Sequence, residues 1–184
     1  MAETYTPDCD YDMKAHEFEL LGVDGQLHTL KSCQGEKATL IMFICNHCPY
    51  VKAVTKDFVE DCNELSKIGV NSVAICANDA ENYPEDSFDN MIEFAKKNQF
   101  SFPYLNDETQ EIAKTYDAVC TPDFFGYNKD LELQYRGRLR ELKNLVPVRS
   151  GESDLLKAMK QIAETGKGPE SQIPSAGCGI KWKQ

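Results

Sequence analysis

Two short apolar runs on either side of one helical segment restrict this chain more than any other feature of its sequence. Ala38 to Ile44 reads ATLIMFI and Val70 to Ala77 reads VNSVAICA. Both are continuous and rich in β-formers, as strands covered on both faces are. Between them, Val51, Val54, Phe58, Val59, Cys62 and Leu65 recur close to helical spacing across Tyr50 to Ile68, and Gly69 supplies a stop. Strand, helix and strand in that order predict a parallel pair with a right-handed crossover.

The flanking segments extend this sheet. Phe18 to Leu21 and Gln26 to Leu30 bracket an Asp24-Gly25 turn and predict an N-terminal hairpin. Ser87 to Asn98 reads as a helix capped by Asp86 or Ser87, and Thr109 to Tyr116 as a shorter one. Phe124 to Tyr127 and Leu133 to Arg136 flank Asn128-Lys129-Asp130 and predict a second hairpin. Ser153 to Ala163 reads as a last helix. There is no repeat and no linker before the last twenty residues, so one domain over 1–184 is expected, with 1–14 as an extension and 165–184 as a tail.

With 184 residues the chain can bury roughly 70% of the surface its unfolded form exposes, so it needs no disulfides to fold. Its eight cysteines are too dilute for a secreted scaffold. The N-terminal MAETYTPDCDYDMKAHEF is acidic and has no apolar core of a secretory signal, and no segment approaches membrane-span length. A cytosolic location with mostly free thiols is the expectation. The net charge of -10 argues against nucleic acid or an anionic membrane surface as partner.

Cys45 and Cys48 stand three apart in FICNHCPY, directly after the first apolar run. Structural zinc would need a second Cys pair or a His pair at short spacing, and neither is present. A structural bridge this short constrains the unfolded chain little and is reduced in a cytosol. Position favours a redox pair. A strand end followed by a helix start aims unpaired N–H groups and the positive end of the helix dipole at the first sulfur. Residues at i and i+3 of that helix would share a face within disulfide reach, and Pro49 is tolerated in a first turn. Cys45 is therefore expected as the exposed, low-pKa thiol, assisted by His47 when protonated.

Taken together, FICNHCPYVKAV, AICANDAENYPEDSF, FPYLNDETQEIAKTYDA, CTPDFF, YRGR and GCGIKW resemble the thioredoxin superfamily. More closely, they are similar to the redoxin group of peroxiredoxin-like proteins of the AhpC/TSA type that carry a thioredoxin-style C-x-x-C. The resemblance implies a thioredoxin fold: a central mixed sheet flanked by helices on both faces, with an N-terminal β-hairpin and a C-terminal tail. It gives Cys45 the attacking and Cys48 the resolving role, and places Thr121-Pro122 as a cis-proline facing the pair and offering backbone groups to an extended substrate. The implied activity is thiol-disulfide oxidoreduction without a cofactor. Protein or small-molecule disulfides, or hydroperoxides, would be substrates and a separate thiol the electron donor.

Several positions depart from these patterns. Aligned on Cys48, the Pro and Thr that activate a peroxidatic cysteine are replaced by Ile41 and Cys45. The buried acid that thioredoxins keep six residues before the attacking cysteine is Thr39. Cys120, directly before Thr121, and Cys178 in the tail are candidates for a third redox thiol, set against simple packing roles. Arg136, Arg138 and Arg140 alternate as one solvated strand face would, or as an anion site. Trp182 is expected to anchor the tail, and the acidic stretch Asn78 to Asp89 to serve as turn and helix cap.

Overall fold

The computed structural model describes residues 2–184. Along the chain the elements are β1 (Glu3–Tyr5), β2 (Glu19–Gly22), β3 (Leu27–Thr29), α1 (Leu30–Cys33), β4 (Ala38–Phe43), α2 (Pro49–Ser66) and β5 (Val70–Cys76). A 3-10 turn at Pro84–Asp86 precedes α3 (Phe88–Lys97), β6 (Tyr104–Asn106), α4 (Glu111–Thr115), β7 (Cys120–Thr121), β8 (Asp123–Asn128) and β9 (Leu133–Tyr135). Then come β10 (Leu142–Lys143), β11 (Val146–Pro147), α5 (Asp154–Thr165) and β12 (Ala176–Gly179).

The main sheet has seven strands in the order β3-β2-β6-β5-β4-β8-β9. β4 pairs in parallel with β5 and β5 with β6, while β8 runs antiparallel to β4. This is the mixed sheet of a thioredoxin fold, and β4 at its centre is buried along its whole length. Alternation along β4 separates two cores. Leu40 and Met42 face α2, α3 and α5 through Val54, Phe58, Met91 and Met159. Ile41 and Phe43 face the other side, where Leu30, Ala113 and Tyr116 of α1 and the α4 region cover the sheet. Gly69 ends the α2 crossover with φ +83°, a conformation that favours glycine. The expected helices and both hairpins are present with ends shifted by a few residues. Ser87 and Ser153 are the N-caps of α3 and α5, each accepting from the amide three residues on.

The two termini are not appendages. β12 lies between β1 and β7 in a second sheet, so the expected extension and tail pair with each other and with the body. Trp182 remains 38% exposed with Lys114 Nζ over its ring, and it is Cys178 and Ile180 that are buried. The three alternating arginines are not a solvated face. Arg136 is buried in an ion pair with Asp123 (2.9 Å), Arg138 pairs with Asp154 (2.7 Å) and Arg140 with Asp57 (3.0 Å). Short β9 ends at Tyr135, so the expected strand alternation does not extend to them.

Asp57 and Asp61 stand one turn apart on the buried face of α2. Asp57 takes Arg140 and Arg149, whereas Asp61 accepts from the Ser153 hydroxyl (2.5 Å). Burial pushes the Asp61 carboxyl up to about 6 from 3.8. A raised folded pKa contributes stability that is complete below the unfolded value and is lost as pH rises through the folded one. Stability is therefore expected to fall between pH 4 and 6 by up to about 3 kcal/mol through this group. Asp61→Asn, which can still accept from Ser153, is expected to flatten that slope and raise the neutral-pH midpoint in urea titrations.

Candidate redox-active site

β4 delivers Cys45 just past its C-terminal end, where the chain turns through Asn46 and His47 before α2 begins at Pro49. The two cysteines therefore sit in the turn ahead of the helix rather than one turn apart on it, and Cys48 is the N-cap. Neither is exposed: Cys45 retains 1% and Cys48 none of its accessible surface. All eight cysteines are thiols.

Thr121 touches both sulfurs. Its hydroxyl lies 3.4 Å from Cys45 Sγ, and its carbonyl accepts from the Cys48 thiol at 3.2 Å. The following Thr121-Pro122 bond is cis. The expected pairing of Cys45, Cys48, Thr121 and Pro122 is thus assembled, with β7 laid directly against the cysteine turn.

The two thiols sit in unlike electrostatic surroundings. Hydrogen bonding from Cys45 first, then from the Cys178 thiol, the Val51 amide and Thr121, pulls the Cys48 thiol below the ordinary value in spite of burial. The amide at Val51 belongs to the first helical turn, though the sulfur stops short of a full capping hydrogen bond. Cys45 is raised well above the ordinary value by sharing its proton with Cys48, by burial and by the Asp86 carboxylate. The helix begins at Pro49, later than the reading of both cysteines on one helical face expected, so Cys48 is the sulfur nearer its N-terminus.

Asp86 is the residue that sequence reasoning missed. It is fully buried, accepts from the Asn46 amide (2.7 Å) and from Asn78 Nδ2 (2.8 Å), and lies 2.6 Å from His47 Nδ1. Asn46 also donates to Glu85 O and accepts from the Tyr104 hydroxyl, and His47 stacks on Tyr83. Both residues between the cysteines are thus spent on docking the turn to Pro84–Asp86. The positive charge expected from His47 is countered by this carboxylate. A sequence hint existed, because Ser87 suffices as the α3 cap and leaves Asp86 without a task.

Cys45, His47 and Asp86 also place three donor atoms within 4.8 Å of one another, a set of the type that binds a divalent cation. Its residues are brought together by the fold rather than by sequence spacing. A cation there would have to take the Asp86 oxygen that now faces His47 and Asn78. Cys120 points elsewhere, its sulfur 3.6 Å from Pro122 O, and burial raises its thiol far above the ordinary value.

Because Asp86 raises Cys45 by charge, Asp86→Asn is expected to lower that thiol. Each pH unit of lowering multiplies the thiolate fraction about tenfold near neutral pH. Iodoacetamide rates against pH, compared between Cys48→Ser and Cys48→Ser/Asp86→Asn, check this; equal profiles would remove Asp86 from the site.

Residues 12–141 match the model of the AhpC/TSA family. No curated protein gives a significant match. Among solved structures, the chain is similar to an uncharacterized conserved protein from Geobacillus kaustophilus (43% identity, TM-score 0.93, covering 100% of this chain and 97% of that one). It is also similar to a hypothetical protein from Sinorhizobium meliloti 1021 (32% identity, TM-score 0.90, 98% of each chain). A thiol:disulfide interchange protein of the thioredoxin family from Chlorobium tepidum TLS shares the fold at 17% identity and TM-score 0.64, over 83% of this chain and 97% of that one.

Proposed function

The chain belongs to the AhpC/TSA family, and from that premise we propose that it is a thiol-disulfide oxidoreductase cycling Cys45 and Cys48 between dithiol and disulfide. The observation that carries this is a buried thiol pair in the turn ahead of a helix N-terminus, with Thr121 against both sulfurs.

Cys48, as thiolate, attacks one sulfur of a substrate disulfide, forming a mixed disulfide and releasing the other sulfur as a thiolate. Cys45 gives up its proton, attacks Cys48 Sγ and expels the second substrate thiol, leaving Cys45–Cys48 oxidised. An external dithiol then reverses the sequence and reduces the pair. Each step exchanges one S–S bond for another, so no cofactor is required. The low pKa that makes Cys48 an available nucleophile also makes it a good leaving group in the return direction.

With both sulfurs covered, a substrate must displace part of the wall over them. The two-residue β7 and four-residue β12 offer the shortest ladder around the site, and short ladders open at the lowest cost. A groove of about 410 Å³ lined by Tyr50, Pro122, Arg138 and Pro174 lies beside that seam and suits an extended disulfide-bearing segment. No helix among the described residues is long and apolar enough to cross a membrane. Eight free thiols suit a reducing compartment such as the cytosol.

The test is a redox titration of the purified chain against reduced and oxidised glutathione, quenched by alkylation and read by mass spectrometry. A two-electron transition confined to Cys45 and Cys48, together with catalysed reduction of insulin disulfides, is the expected result. A pair that stays reduced at every ratio would leave only a redox-inert binding module.

A further inference from the structure

The C-terminal strand occupies the edge where the resemblance puts an extended substrate. β12 runs antiparallel to β7 with Cys178 opposite Thr121 and Gly179 opposite Cys120, and β1 closes its outer edge. The fit is close: a Cβ on Gly177 would lie 2.3 Å from Thr121 O, so only glycine allows the backbones to approach in this way. Ser175 Oγ donates to Pro122 O at 3.0 Å on one side of the strand. On the other, the Lys181 amide donates to Asn78 Oδ1, and Asn78 in turn holds Asp86. The tail is thereby pinned at both ends around one buried cysteine.

Opposite that cysteine, Thr121 O is the acceptor of the Cys48 thiol, so Cys48 Sγ lies over the β7–β12 seam. Cys178 lies across the ladder from Thr121, and it belongs to one buried cluster with Cys48 and Cys45. A substrate sulfur attacked by Cys48 would have to approach along the same seam.

The geometry points to Cys178 as a third redox thiol, carried by a strand that mimics a bound substrate and exchanging with Cys48. The inference rests on the Cys45–Cys48 chemistry proposed above and extends it. In the oxidised pair, Cys178 attacks Cys48 Sγ; the Cys48–Cys178 bond forms, the Cys45–Cys48 bond breaks, and Cys45 leaves with the proton Cys178 gives up. One disulfide replaces another and no external oxidant enters the step.

The reduced state keeps Cys178 quiet. Burial first, then its hydrogen bond to Cys48 and the charge there, raise the thiol to about 12. Oxidation of Cys48 removes the latter two contributions; burial still raises the thiol, while Lys181 favours the thiolate. Cys178 is thus a better nucleophile beside an oxidised Cys48 than beside a reduced one. Cys120 has no such access, its sulfur turned to Pro122 O.

The full chain is equilibrated in glutathione buffers of increasing oxidised fraction, acid-quenched, alkylated and mapped by non-reducing peptide mass spectrometry. Both Cys45–Cys48 and Cys48–Cys178 peptides are expected, in a ratio independent of protein concentration. Cys45–Cys48 alone at every ratio overturns the inference while leaving the proposed function standing. No intramolecular disulfide at all overturns both. Gly177→Ala, which keeps every cysteine, is expected to lower the Cys48–Cys178 share several-fold by lifting the strand; an unchanged share would show that the strand seat does not deliver the thiol.

Discussion

Cys48→Ser is expected to slow disulfide exchange at neutral pH by about two orders of magnitude or more, because it leaves Cys45 as the nucleophile. The variant removes the contribution of Cys48, but burial and the Asp86 carboxylate still hold that thiol above the ordinary value. A thiol two units above the ambient pH is ionised at about 1%, and exchange proceeds through the thiolate. Cys45→Ser should behave differently. It removes the contribution of Cys45 but keeps the Cys178 thiol and the Val51 amide at Cys48, so the first attack is expected to survive while resolution is lost. Single-turnover reaction with oxidised glutathione separates the two. The Cys45→Ser/Cys178→Ser double variant should stall as a glutathione adduct on Cys48, while Cys48→Ser should form little adduct. Rapid accumulation on Cys45 in Cys48→Ser would restore the opposite order of roles.

The start of the helix was the part of the site least legible in the sequence. The C-x-x-C spacing and the preceding apolar run locate the pair correctly, because a fully buried strand such as β4 has no polar alternation and must end in a turn at the sheet edge. What spacing cannot say is at which residue the helix begins. Pro49 fits a first helical position wherever the cap falls, and a shift of three residues moves the dipole from one sulfur to the other. Asp86 was hidden for another reason: its contact with His47 spans about forty residues, and an acid beside a serine cap looks like part of the cap. The arginines misled by local pattern alone. Arg136, Arg138 and Arg140 alternate as a solvated strand would, yet each has a carboxylate partner that is distant in sequence, Asp123, Asp154 and Asp57. The tail was the largest gap. GCGIKW has too little β-propensity to announce a strand, and β12 exists because glycine at 177 allows it to settle against Thr121.

The same arginines set the second large effect. Hydrogen peroxide is expected to oxidise the reduced protein at least about a hundredfold more slowly than a good disulfide substrate does, because fast peroxide reduction needs donors aimed at the charge that develops as the O–O bond breaks, and losing one such donor costs about 10²–10³. The chain has four arginines, and all are paired with carboxylates: Arg136 with Asp123, Arg138 with Asp154, and Arg140 and Arg149 with Asp57. The hydroxyl closest to the pair, that of Thr121, faces Cys45 at 3.4 Å rather than a space beside Cys48. The remaining neighbours of Cys48 are two thiols and one amide, which are weak donors for an anionic oxygen. Rapid-quench alkylation with mass spectrometry, run in parallel with peroxide and with oxidised glutathione, gives both rates on the same sulfur. The one arrangement that could reverse the ordering is release of Arg138, whose ion pair with Asp154 is partly solvated and cheap to break, and which lines the groove beside Pro122. Fast peroxide consumption that disappears in both Cys48→Ser and Arg138→Ala would therefore identify a peroxidase whose arginine swings in. Slow consumption with unimpaired disulfide exchange is the outcome the paired arginines predict.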